Sequence, residues 1–152
     1  MNFIKVAAQM LLEKKADQVY LNATKGAFGA GHAAIAVGND NDGWKYVSRD
    51  ANHTNTQAAR TFKDLLDTDD EIAATKIGNR YNKRALIKTT PEQDTAALKR
   101  YQERTGKKYS FTKENCNTAA SYAITGKIPK KLNETIPNLQ YKNLLRQGAV
   151  EI

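Results

Sequence analysis

The chain of 152 residues holds one cysteine, two histidines, three prolines and one tryptophan, and each scarcity removes a class of protein. A single cysteine forbids an intramolecular disulfide, so the fold must stand on its core and suits either a reducing cytoplasm or a tolerant periplasm. No stretch approaches about eighteen consecutive apolar residues, so no transmembrane segment is expected. The apolar start, Met1 to Leu12, is interrupted by Lys5 and Gln9, lacks a preceding basic region and is followed by no small-residue cleavage site; it is not read as a signal peptide. The expectation is a soluble protein, made in the cytoplasm. Action elsewhere would need a dedicated secretion system, without a classical signal peptide, or a larger parent chain. With no internal repeat, low-complexity tract or shift in composition, residues 1–152 read as a single domain, long enough to bury roughly two-thirds of its unfolded surface.

What the sequence has in excess is positive charge. Lys and Arg number 24 against 16 Asp and Glu, a formal net charge of +8, which favours approach to anionic polymers such as nucleic acid, anionic lipid or cell wall. The basic pairs Lys14-Lys15, Lys107-Lys108 and Lys130-Lys131 are well separated and no run reaches five, the pattern of a solvated surface. Tyr101, Tyr109 and Tyr122 lie among lysines, but their positions fit helix packing better than base stacking, and no signature of specific nucleic-acid recognition accompanies them.

Phe3, Ile4, Val6, Ala7, Met10 and Leu11 recur at helical spacing and predict an amphipathic helix over residues 2 to about 16. The glycine-rich stretch from Gly26 to Gly31 has neither the spacing nor the Lys-Ser/Thr ending of a phosphate loop and reads as a lead-in to a strand. His32 to Val37 is short and apolar, Asn39 to Gly43 supplies turn chemistry, and Trp44 to Ser48 alternates, which together predict a β-hairpin. Residues 51 to 60 read as loop and Thr61 to Leu66 as one or two helical turns. Strands are predicted near Ile72 to Ile77 and Arg84 to Thr89, separated by a polar break at Gly78 to Arg80. Thr90-Pro91-Glu92-Gln93 starts a helix that Gly106 stops, a second runs from Thr112 or Asn115 to Gly126, and Pro137 opens a last short one ended by Gly148.

Cys116 begins a helix whose same face carries Ala119, Ala120 and Ala123. Such a small-residue stripe lets the helix lie close to a sheet and brings the cysteine to the sheet surface. A helix N-terminus favours the thiolate and offers backbone N–H groups as oxyanion donors, whereas a lone cysteine with no such role is a small buried hydrophobe. His32 opens the apolar strand. A five-residue hairpin loop sets Gly38 opposite Trp44, Ala36 opposite Tyr46, Ala34 opposite Ser48 and His32 opposite Asp50, so that His32, Ser48 and Asp50 share one sheet face. A carboxylate there can fix the tautomer of the imidazole. Ser48 is the nearest substitute for Asp50 in that role and His53 a further one.

No cofactor and no metal is expected. Asn39 to Gly43 is rich in oxygen atoms but lacks the spacing and closing glutamate of a calcium loop, and His32, His53 and Cys116 lack the close spacing of zinc ligands.

Gly31-His32-Ala33-Ala34-Ile35, followed much later by Asn115-Cys116, resembles the circularly permuted papain-like cysteine hydrolases of the NlpC type, in which the histidine strand precedes the cysteine helix. The lecithin-retinol-acyltransferase-like enzymes share that order. Gly31 to Tyr46 further resembles domains at the tips of bacterial polymorphic toxins and secreted effectors. The resemblance covers about residues 30 to 126. It implies an α+β fold with a small antiparallel sheet packed against helices, a nucleophile at Cys116 on a helix N-terminus and a base at His32. It also implies an amidase or peptidase activity on peptide bonds of peptidoglycan, and an antibacterial effector or toxin countered by an immunity protein. A lipid acyl hydrolase or acyltransferase of the same fold is the alternative within this chemistry. Many acyltransferase-like members carry a second histidine on the next strand, earlier than His53 falls here. A non-catalytic basic module binding nucleic acid or protein is the alternative outside it, and predicts a buried Cys116 far from His32.

Overall fold

In the computed structural model, which describes residues 16–26, 29–51, 53–110 and 114–152, the turn chemistry of Asn39 sets the centre of the fold. Its Oδ1 accepts the N–H groups of Asn41 and Asp42 at 2.9 and 2.7 Å, and Asp40 Oδ1 accepts the Trp44 indole N–H at 2.8 Å. This closes a hairpin of β2 (His32–Asn39) and β3 (Gly43–Asp50) with Gly38 opposite Trp44, Ala36 opposite Tyr46 and Ala34 opposite Ser48, the register the sequence predicts. Of the oxygen atoms in which Asn39 to Gly43 is rich, Asn39 Oδ1, Asp40 Oδ1 and Asp42 Oδ2 accept hydrogen bonds at the turn.

β1 (Ala16–Ala23) pairs with the other side of β2, then β5 (Lys83–Thr89) with β1, β6 (Val150–Glu151) with β5, and β4 (His53–Ala59) with β3. The six-stranded antiparallel sheet has the order β4-β3-β2-β1-β5-β6. Among the described residues, six helical segments complete the α+β architecture: α1 (Phe62–Leu66), α2 (Ile77–Arg80), α3 (Pro91–Thr105), α4 (Cys116–Thr125), α5 (Leu132–Thr135) and α6 (Pro137–Arg146). The one or two helical turns expected from Thr61 to Leu66 are α1, which Thr61 caps by accepting the Asp64 N–H. Thr90 and Gln93 form a capping box at α3, Asn115 and Thr118 form one at α4, and Gly126 ends α4 in the left-handed conformation that glycine adopts without penalty.

Strand alternation divides the core in two. Tyr20, Ala33, Ile35, Val37, Val47 and Ala85 pack with residues of α3, α4 and α6, among them Ala97, Ala119, Ala120 and Leu144. Val19, Leu21, Ala34, Ala36, Trp44 and Tyr46 face the other way, under Leu65 of α1 and Ile77 of α2.

Three sequence expectations give way. Residues 53 to 59, read as loop, form β4: its side chains are mostly polar, but it is an edge strand held by backbone pairing to β3. The strand expected near Ile72 to Ile77 is a tight turn built on Asp70, whose Oδ1 accepts the N–H groups of Ile72 and Ala73, both at 2.9 Å, leaving one isolated bridge between Asp69 and Lys76. The break at Gly78 to Arg80 is the single turn α2. The helix expected over residues 2 to about 16 lies outside the described residues, except that Ala16 starts β1.

Candidate active site

His32 is the first residue of β2, and its Nε2 lies 3.0 Å from Ser48 Oγ and 3.6 Å from Asp50 Oδ1. The Ser48 hydroxyl donates to Asp50 Oδ2 at 3.0 Å. The three residues predicted to share a face therefore do so, with Ser48 between the histidine and the carboxylate. His53, the further substitute, stands opposite Asp50 on β4 but is exposed and makes none of these bonds.

Cys116 is the first residue of α4 and is 6% exposed. Its Sγ accepts a hydrogen bond from the backbone N–H of Ala33 at 3.4 Å. The small-residue stripe works as the sequence suggests: Ala119, Ala120 and Ala123 are buried in the same layer as Ala33, which lets α4 approach the sheet. The strand between the two halves alternates, however, so α4 covers the face of Ala33 while the His32 ring lies on the opposite one, 6.0 Å from the ring of Tyr81. The thiol and the imidazole thus approach the first residues of β2 from two sides, and the resting sulfur is bonded to the peptide that follows His32 rather than to its ring.

The expected thiolate is corrected by burial. Desolvation pushes the Cys116 thiol up to about 11, against the N–H groups of Ala33 and Asn117, which favour the anion. Burial likewise dominates at His32, which is lowered to about 4 with help from the Arg80 guanidinium, while Asp50 and Asp70 pull the other way. At neutral pH the pair is a thiol and a neutral imidazole. The oxyanion expectation also narrows. Asn115 Oδ1 already accepts the N–H groups of Asn117 and Thr118 at 2.9 and 3.0 Å, so the N–H of Cys116 itself is the first-turn donor that the cap leaves.

A cavity of about 60 Å³ opens at the sulfur, between Ala30 and Gly31 on one side and Tyr109, Thr135, Ile136 and Pro137 on the other. Gly31 has φ +100°, and a Cβ there would stand 2.5 Å from Asn138 Oδ1. The amide nitrogen of that Asn138 donates to the carbonyls of Thr24 and Gly29 at 3.1 and 2.9 Å, fastening the loop before β2 to the start of α6. Asn117 performs the same office from α4. Its Oδ1 accepts the Tyr20 hydroxyl at 2.6 Å and its Nδ2 donates to the Glu134 carbonyl at 2.6 Å, next to the cavity wall. A larger cavity, about 620 Å³, lies elsewhere, among β5, β6, α4 and α6, and is lined by none of the predicted residues.

Sequence reasoning missed a buried group behind His32. Arg80 contacts both Asp50 and Asp70, and Tyr46 and Tyr81 close the network with hydroxyls 2.7 Å apart. Tyr46, alternating on β3 with Ser48 and Asp50, was the one signal available. The other tyrosines are absorbed locally: Arg49 lies over Tyr109, Arg104 over Tyr122, and Tyr101 is in the core. Among the described residues no helix is long and apolar enough to cross a membrane. No protein-family model matches the chain, and comparison with curated proteins and with solved structures gives no match either.

Proposed function

We propose that the chain is a cysteine-dependent amide hydrolase of the permuted papain-like type, with Cys116 as nucleophile and His32 as base. We propose further that it cleaves peptide bonds of peptidoglycan as an antibacterial effector. The observation that carries the reading is the Ala33 N–H to Cys116 Sγ bond, which holds the chain's one thiol a single residue from a histidine whose Nε2 is already engaged. Nδ1 is then the nitrogen left for the thiol.

Substrate enters the cavity at Cys116, and reaction requires the sulfur to leave the Ala33 N–H and the His32 ring to turn from the opposite face of β2 to meet it. The neutral His32 accepts the thiol proton as sulfur bonds to the carbonyl carbon, whose C=O electron pair moves to oxygen against the Cys116 N–H. Collapse breaks the C–N bond, and the imidazolium returns its proton to the departing amine. Water, deprotonated by the same imidazole, then attacks the thioester and releases the acid and the thiol.

The net charge of +8 suits an anionic wall. The cavity is far below the roughly 300–1,000 Å³ of pockets that enclose a drug-sized ligand, which favours a slender peptide over a long acyl chain. Burial of Cys116 agrees with the binding-module alternative, but its attachment beside His32 does not. The test is mass analysis of soluble peptidoglycan fragments incubated with wild type, Cys116→Ala and His32→Ala, with phospholipid and ester substrates in parallel. New amine and carboxyl ends from the fragments, formed by wild type alone, support the proposal. Release of fatty acid instead moves the assignment to lipids, and no product in either series rejects catalysis.

A further inference from the structure

The buried network behind His32 has a direction, and Arg80 sets it. Arg80, at the end of the single turn α2, places Nη2 2.6 Å from Asp50 Oδ1 and Nη1 3.0 Å from Asp70 Oδ2. The Asp70 side chain is fully buried and held on all sides, with Ile72 and Ala73 N–H on Oδ1 and the Tyr46 hydroxyl 2.7 Å from Oδ2. The planar guanidinium fork therefore hangs from a fixed anchor and fixes Asp50 in turn.

Asp50 Oδ1, the oxygen held by Arg80, is also the one that lies 3.6 Å from His32 Nε2. The other oxygen takes the Ser48 hydroxyl proton. A hydroxyl has one proton to give, so toward His32, at 3.0 Å, the Ser48 oxygen accepts and Nε2 carries the hydrogen.

We propose that Arg80 is a positioning residue of the site: by holding Asp50 against Asp70 it orients the Ser48 hydroxyl and so keeps His32 in the Nε2–H tautomer, with Nδ1 free to take a proton. The inference rests on the reading of His32 as a base, yet its test needs no turnover. The charged and titratable groups around the ring are Asp50 from β3, Arg80 from α2, and Asp70 and Tyr81 from the segments flanking α2. Removing the guanidinium deletes a cation and frees a carboxylate to pair with the ring. Both changes favour imidazolium.

The experiment is nitrogen NMR of the full chain with ¹⁵N-labelled histidine across the acid range, using His53→Gln to assign the two rings. Wild type should show His32 protonated on Nε2. In Arg80→Gln its titration should move up by roughly one pH unit or more, with a mixture of tautomers. Arg80→Lys, which keeps the charge but not the fork, should stay closer to wild type in titration. Wild-type His32 protonated on Nδ1 overturns the proposal, whether or not any variant folds. So does a folded Arg80→Gln with unchanged titration. Absence of hydrolysis alongside the expected spectra rejects the enzyme assignment and leaves this one standing.

Discussion

The backbone N–H of Ala33 donates to Cys116 Sγ at 3.4 Å, tying the helix that carries the thiol to the strand that begins with the histidine. This bond supports the anion, but burial exceeds it and holds the thiol up to about 11. Alkylation of the substrate-free protein by iodoacetamide should therefore be slow at neutral pH and climb steadily toward pH 11, with no plateau below pH 8. A plateau in the acid range, measured by intact mass against time, would mean an activated thiolate at rest.

Acid should weaken the fold through His32. Between its ordinary value of 6.5 and its folded value of about 4, the unfolded chain binds a proton that the native protein excludes. Stability then falls as pH drops through that window, by at most on the order of 3 kcal/mol. Asp70, held below the usual carboxylate range by its hydrogen bonds despite burial, adds its loss only at more acidic pH, because a depressed carboxylate stabilises until it is protonated. Urea midpoints measured near pH 7 and near pH 4.5 should diverge in wild type and converge in His32→Gln.

Gly31→Ala should destabilise the protein by about 1–3 kcal/mol, since the left-handed backbone is strained for alanine and the new methyl meets the Asn138 side chain. Denaturant unfolding monitored by Trp44 fluorescence measures the cost; an unchanged midpoint would show that the loop relaxes freely.

Asn117→Ala removes the acceptor of the buried Tyr20 and Ser121 hydroxyls and the donor to Glu134. A loss of about 2–4 kcal/mol is expected. Tyr20→Phe in the same background should recover part of it, because the orphaned hydroxyl goes as well. Failure of that partial rescue in a double-mutant cycle would contradict the assigned network.

Local chemistry was legible in the sequence and distant chemistry was not. Asn39 and Gly43 define the hairpin, and that register places Ser48 and Asp50 beside His32 from period-two alternation alone. Thr90, Asn115 and Gly126 mark helix ends by interactions within one turn. β1 escaped notice because it is buried on both faces and carries the buried polar residues Gln18 and Asn22, so no alternation is visible. Arg80 lies 30 residues from its partner Asp50, in a stretch that reads as a polar break, and no periodicity links them. The opposite-face approach of Cys116 and His32 depends on which side of the sheet α4 chooses, a tertiary fact.

The central claim, that Cys116 attacks substrate with a proton taken by His32, is tested most directly by intact-protein mass spectrometry during reaction with a stem-peptide thioester. The account predicts an acyl adduct that maps to Cys116 in wild type, is absent in Cys116→Ala, and forms at least about a hundredfold more slowly in His32→Ala. No adduct in wild type, or one that forms equally fast without His32, would contradict it.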